Sequence, residues 1–387
     1  NIMVLKTVCL PQYAPEKSMV SKKSPVLQEY ARKAQQMENN LNYHDELAKK
    51  NIEKLRDLQA SLPSFCRMYF RGMNDTISSR TKIAYAYDLR LFFEYIIKFK
   101  KLQDKYTIPD LPMSILDQIK REDIEDYLEY LSLYKNTYEE EVMNDERGKS
   151  RKLASLRSFY NFYFTNELID TNPAALVKMP KLHEKEIIRL DPNEVAILLD
   201  QVEDGTKLTD KQLQYHEKTK IRDVAILTLL LGTGIRVSEC VGLDIQDVDF
   251  DNMGIKVRRK GGYEDIVYFG DEVYNALETY IEHRKHIIPL SGHENALFLS
   301  MQNRRLTVRS VENLVKKYAK LVNNLKKITP HKLRSTYGTN LYQETGDIYL
   351  VADVLGHKDV NTTRKHYAAM KDAHKRKAAK TVKLREP

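Results

Sequence analysis

At 387 residues the chain is longer than one ordinary core and implies two or three domains. Hydrophobic residues make up 42% and charged residues 30%, the balance of a soluble globular protein, while only 14 Gly and 12 Pro favour helices over turn-rich sheet. The formal charge of +9 points towards a polyanionic partner, since each phosphate neutralised by Lys or Arg releases counterions, although charge alone does not make a nucleic-acid binder.

Residues 1–59 form an N-terminal extension, irregular around Pro11, Pro15 and Pro25 and then helix-favouring with a thin apolar stripe. Such a stripe fits an exposed helix that packs on a partner better than one with its own core. In "SSRTKIAYAYDLRLFFEYIIKF" the residues Tyr85, Leu89, Phe92, Phe93 and Ile96 recur at helical spacing, with Ser78 or Ser79 as the N-cap. Ile124, Tyr127, Leu128 and Leu131 form a second stripe behind an acidic first turn. Leu153, Leu156, Tyr160 and Tyr163 form a third. The three stripes need one another for burial, so 60–178 is expected to be a helical bundle. Residues 179–190 carry a Pro and mixed charges without periodicity and read as a linker.

From 191 to 387 the pattern becomes mixed. Asp191 and Pro192 open a helix, and "KIRDVAILTLLLGTG" reads as a buried helix stopped by Gly232 and Gly234. "GIKVRRK" and "EDIVYFG" read as strands of a hairpin joined across Gly261 and Gly262. Helices are expected over 271–285, over "VRSVENLVKKYAKLV" and over "TPHKLRSTYGTNLYQET", before a tail dense in Lys and Arg. The fold class expected is therefore mostly α with a small β-sheet or hairpin: a helical domain followed by an α+β domain. Cys9, Cys66 and Cys240 lie far apart with no CxxC spacing, which argues against a disulfide framework or zinc cluster and fits a reducing cytoplasm. No run approaches the roughly 18 apolar residues of a membrane span, and the first ten residues are too short for a signal segment, so no membrane partner is expected.

Several polar residues are unremarkable one at a time. Arg236 follows a Gly-x-Gly turn, Lys260 sits at a hairpin tip, His331 and Arg334 share a helical face, His357 follows a Gly, and Tyr367 is one of 24 tyrosines. Their order is the informative feature. "GTGIRVSECVGLDIQDVDF", "RRKGGYEDIVYF", "TPHKLRST" and "VLGHKDVNTTRKHY" together resemble the four ordered motifs of the tyrosine recombinases, also called lambda-type integrases. The likeness covers about 190–370 strongly and extends to 60–178, which resembles the family's core-binding domain. Ser335 stands where many members have His, and 1–59 does not resemble the arm-binding domain of some integrases.

The resemblance implies a DNA strand-transferring enzyme in which Tyr367 attacks a phosphodiester to form a 3′-phosphotyrosine. Two guanidiniums, Arg236 and Arg334, suit the non-bridging oxygens and the charge that grows there. Lys260 is implied as general acid for the leaving 5′-oxygen, His331 as an aid to proton transfer and His357 as a donor to the phosphate. Glu239, one turn beyond Arg236, is expected to support the site. This positive charge does what a divalent ion would otherwise do, so no metal and no cofactor is expected. The implied partners are a double-stranded DNA recombination site and, across two synapsed duplexes, a homotetramer, with any accessory protein left open. The layout resembles Xer-type recombinases acting as a single protein in chromosome dimer resolution. The alternatives are a phage or conjugative-element integrase, a type IB topoisomerase, or a DNA-binding protein without catalysis, the last disfavoured by competent residues at all six positions.

Overall fold

A computed structural model describes residues 43–73, 77–136, 139–183, 188–323, 326–357, 359–360 and 363. Tyr367, residues 1–42 of the extension and the basic tail lie outside them.

Two hydrophobic cores organise the described chain. The first is gathered from Leu58 to Val177 and is dominated by aromatic rings. Helix α1 (Tyr43–Ala60) packs along α3 (Ser79–Phe99), with short α2 (Cys66–Gly72) between them in sequence. Ser78, not Ser79, caps α3: its hydroxyl accepts the Thr81 N–H at 3.2 Å. The helices α4 (Ile115–Gln118), α5 (Arg121–Tyr130), α6 (Glu146–Thr165) and α7 (Pro173–Leu176) complete the layer. All three predicted stripes face this core, with Leu89, Phe92, Phe93, Ile96, Ile124, Tyr127, Leu131, Leu153, Leu156, Tyr160 and Tyr163 buried, and Tyr85 and Leu128 partly so. Phe159 is fully buried and meets Phe65, Tyr69, Phe93 and Tyr163 at tilted or edge-on angles, the arrangement aromatic quadrupoles prefer. A two-residue hairpin, β1 (Tyr134–Lys135) against β2 (Glu141–Val142), joins α5 to α6.

The second core runs from Leu190 to Leu333. It is built from α8 (Pro192–Asp204), α9 (Asp210–Thr233), α10 (Val237–Gly242), α11 (Asp271–Arg284), α12 (Val308–Val322) and α13 (Pro330–Thr345). These pack with an antiparallel sheet in the order β3 (Val248–Asp249), β4 (Gly254–Arg258), β5 (Glu264–Tyr268). The strand pair across Gly261 and Gly262 is as expected from sequence; β3 is an addition that two residues are too few to signal. One expectation fails. Gly232 does not stop α9 but lies inside it, because a Cβ there would fall 2.4 Å from Val273 of α11, so the missing side chain lets the two helices close. The stop is Gly234, in the left-handed conformation at φ 63°. Short α14 (Ile348–Val354) packs on α13 through a small satellite cluster of Tyr342, Val351 and Leu355.

Helix α1 is more than the thinly striped appendage that its sequence predicts. Its C-terminal end gives Leu58 to the first core. At its N-terminal end the Arg305 guanidinium lies 4.7 Å from the centre of the Tyr43 ring, and His44 lies against Gly242. Burial, with Arg258 and Arg305 nearby, holds His44 below the usual histidine pKa.

Candidate active site

Among the described residues, the expected site residues come from α10, the β4–β5 turn, α13 and the end of α14. Arg236 is the N-cap of α10, where its backbone N–H donates to Glu239 Oε2 at 2.7 Å. The same carboxylate holds the side chain: Arg236 Nη1 donates to Glu239 Oε1 at 2.8 Å, and Nη2 reaches the Gly356 carbonyl at 3.3 Å. Arg334 lies in the first half of α13 and is only 4% exposed. Its Nη1 donates to the Gly234 carbonyl at 2.6 Å and its Nη2 to the Leu355 carbonyl. Both arginines are thereby tied to the turn at 355–356, Arg334 through Leu355 and Arg236 through Gly356.

That turn closes α14. Gly356 adopts φ 59°, and the His357 N–H returns to the Ala352 carbonyl at 2.9 Å. His357 follows directly, with Nδ1 at 2.7 Å from the Thr363 hydroxyl, a partner that fixes the ring's orientation. Tight packing holds the other wall. A Cβ at Gly234 would meet the Tyr337 ring at 2.3 Å. His331 is exposed one turn before Arg334 on α13, and its carbonyl accepts the Ser335 hydroxyl at 3.0 Å. Lys260 is exposed in the turn between β4 and β5.

The structure therefore brings Arg236, Glu239, Arg334 and His357 around one turn. Lys260 stands next to a residue bonded into the same cluster, and His331 lies on the outer face of α13. Two guanidiniums beside the Gly234 and 355–356 turns suit a phosphate, because each offers a planar fork of N–H donors.

The family model described as the phage integrase family matches residues 189–374. A tyrosine recombinase XerC of Caldanaerobacter subterraneus subsp. tengcongensis is 35% identical over 309 residues, which cover 78% of this chain and 81% of that protein. This chain belongs to the tyrosine recombinases. It is an enzyme of DNA strand breakage and rejoining. A tyrosine recombinase XerS of Streptococcus uberis is 30% identical over 351 residues, or 84% of this chain and 97% of that one. The fold is also that of the Tn1549 transposon integrase solved with circular intermediate DNA, with a TM-score of 0.57 at 23% identity over 79% of this chain and 95% of that one. Curated relatives named XerC, XerS and XerD favour a Xer-like recombinase over the mobile-element alternative.

One residue bonded into this cluster is not among those predicted. Arg259 is 3% exposed and donates to Asp265 Oδ2 at 3.0 Å, Glu239 Oε2 at 3.2 Å and the Val354 carbonyl at 3.0 Å. Its signal in the sequence is parity: Ile255, Val257 and Arg259 alternate onto the inward face of the strand, where an arginine needs partners. Cys240, beside Glu239, is a packing residue; burial pushes its thiol up to about 12. Among the described residues no cluster of His, Cys, Asp and Glu is arranged to hold a metal ion, and no helix is long and apolar enough to cross a membrane.

Proposed function

We propose that this recombinase cleaves a specific duplex site with Tyr367 as nucleophile, Arg236 and Arg334 as the phosphate clamp and Lys260 as general acid. In the chemical step the Tyr367 oxygen forms a bond to phosphorus as the bond to the 5′-oxygen breaks, leaving a 3′-phosphotyrosine that conserves bond energy for rejoining. Lys260 gives its proton to the leaving oxygen. His331 assists proton transfer, His357 donates a hydrogen bond to the phosphate, and Glu239 aims Arg236. The observation that carries this reading is the attachment of Arg236 and Arg334 to the 355–356 turn, the residues directly before His357 and ten residues before Tyr367 in sequence.

The domains are read as a helical core-binding domain over 60–178, a linker over 179–190 and a catalytic domain over 191–387. Lys and Arg on phosphates supply most of the affinity and a few base contacts supply site choice. The functional unit is a homotetramer on two synapsed duplexes. Its role is Xer-like resolution of chromosome dimers in the cytoplasm before cell division, a reading the XerC and XerS likenesses support.

The test is a suicide duplex nicked beside the cleavage point, its site chosen from random-sequence DNA by binding to the Tyr367→Phe chain. The native chain should become covalently attached to the DNA, while Tyr367→Phe should bind with unchanged affinity and form no adduct. An adduct formed equally by Tyr367→Phe would remove Tyr367 from its role.

A further inference from the structure

Arg259 is placed where an apolar residue would be expected. It continues the inward phase of β4 after Ile255 and Val257, and only 1% of its side chain is exposed. A guanidinium so deeply buried is costly unless every direction of its fork is satisfied. Its three bonds go to three different parts of the site. Nε reaches Asp265 on β5, which binds the two arms of the hairpin together. Nη1 reaches Glu239, whose other oxygen holds the Arg236 guanidinium. Nη2 reaches the Val354 carbonyl at the end of α14, just before the turn that Arg236 and Arg334 share. Gly356 is shaped around it as well: at φ 59°, a Cβ would fall 2.9 Å from Arg259 Nε.

The backbone adds the link to Lys260. The Arg259 N–H donates to the Tyr263 carbonyl at 2.9 Å, and the Gly262 N–H returns to the Arg259 carbonyl at 3.0 Å. Lys260 is thus the second residue of a closed four-residue turn. On its far side stand Gly261 and Gly262 at φ 105° and 87°, which supply little side-chain anchorage. On its near side stands the most heavily bonded residue of the hairpin.

We propose that Arg259 is a positioning residue for strand cleavage: it ties the turn carrying Lys260 to the Arg236–Glu239 pair and to the end of α14, so that proton donor and phosphate clamp are held as one unit. The proposal rests on the reading of Lys260 as general acid. It also differs from a role in stability alone, because it requires the loss of Arg259 to slow protonation of the 5′-oxygen more than attack on phosphorus.

A change of leaving atom isolates that event. With sulfur in the bridging 5′ position, the P–S bond breaks to a thiolate that departs without a proton, while attack by Tyr367 and the clamp on the non-bridging oxygens are unchanged. The full chain is assayed in single turnover on the nicked suicide duplex with either 5′-oxygen or 5′-sulfur at the cleavage point. Lys260→Ala and Arg259→Met should each slow adduct formation on oxygen by about 10²-fold; on sulfur Lys260→Ala should run near the native rate and Arg259→Met should recover most of its loss. Arg259→Lys, which keeps charge but not the fork, should recover part of the oxygen rate. Asp265 has a side chain 39% exposed at the rim, so Asp265→Asn should fold normally even if Arg259→Met does not. It should lose several-fold on oxygen and nothing on sulfur. If Lys260→Ala is rescued by sulfur but Arg259→Met and Asp265→Asn are slowed equally on both substrates, the positioning role is wrong and Arg259 serves only the fold or the clamp. If Lys260→Ala itself is equally slow on both, the general-acid reading falls and this inference falls with it.

Discussion

Each of the two cores buries a carboxylate among cations, and they use it differently. In the helical core Asp88, 3% exposed, accepts both Arg151 guanidinium nitrogens, with Lys152 Nζ at 3.8 Å from the same carboxylate. Burial pushes Asp88 above the usual carboxylate pKa while Arg151 and Lys152 pull it back, and burial pushes Lys152 below the usual lysine value against the pull of Asp88. The cluster is turned in on itself and joins α3 to α6. In the second core Glu239 is shared between the Arg236 and Arg259 side chains, and Arg334 spends two donors on carbonyl oxygens. Carbonyls satisfy hydrogen bonds without cancelling charge. The first cluster joins two helices of one core, whereas the second gathers α10, the β4–β5 hairpin, α13 and the end of α14 around one turn.

The largest expected effect strikes the second arrangement. Arg236→Ala should lower the single-turnover rate of covalent adduct formation by about 10³-fold, or about 4 kcal/mol of transition-state stabilisation. Glu239 keeps Arg259 as its partner, so the fold should survive and affinity for the duplex should stay within a few-fold. Adduct formation at the native rate would show that the charge at this turn serves the fold, as it does around Asp88.

The converse substitution lies in the helical core. Asp88→Ala leaves Lys152, 8% exposed, without its carboxylate, at a cost of about 3 kcal/mol in urea unfolding. Asp88→Asn, which keeps an acceptor, should cost less. Below the melting transition the rate of cleavage per bound molecule should match the native chain. A Tm within a degree of native for Asp88→Ala would mean that the buried cluster contributes nothing to stability.

The difference between the cores also explains what could be read from sequence. The helical core is governed by local periodicity, so its three stripes are legible from residue spacing, and the strands around Gly261 and Gly262 are legible from turn chemistry. Arg236, Arg334 and His357 are legible only as an ordered set, because nothing local marks them; their meeting at one turn depends on contacts more than a hundred residues apart in the case of Arg236 with Gly356. Two features were hidden for a physical reason. Gly232 looks like a helix stop, yet its role is to admit Val273 from another helix. Arg259 looks like one more cation in a basic hairpin, and only the parity of β4 betrays that it faces inward. Tyr367 lies outside the described residues, and its role continues to rest on the resemblance and on the clamp before it.

The smallest effect tests a surface pair that supports the route to Arg334. Glu194 closes the start of α8 by accepting the Asp191 N–H at 2.9 Å, and it also accepts Lys326 Nζ at 2.6 Å and Asn323 Nδ2 at 3.1 Å from the segment that leads into α13. Burial alone would raise its pKa, but the bonds from Lys326, the Asp191 backbone and Asn323 outweigh it and hold the carboxyl below the usual glutamate value. Lys326 is correspondingly held above the usual lysine value, chiefly by its hydrogen bond to Glu194. A depressed carboxylate contributes stability that is fully present above its unfolded pKa and is lost as pH falls through the folded one; a raised lysine contributes below its unfolded pKa and loses that as pH rises through the folded one. The contribution should therefore be level between about pH 5 and 10 and decline on both sides. Glu194→Gln should cost about 0.5 kcal/mol at pH 7, because this half-buried pair is still partly screened by solvent and the amide still accepts the cap bond. The gap to the native chain should narrow as pH falls below the usual glutamate value and through the lower pKa of the folded carboxyl. A gap that stays constant from pH 7 to pH 3 in chemical denaturation would mean that the charge of Glu194 contributes nothing and that shape alone makes this cap.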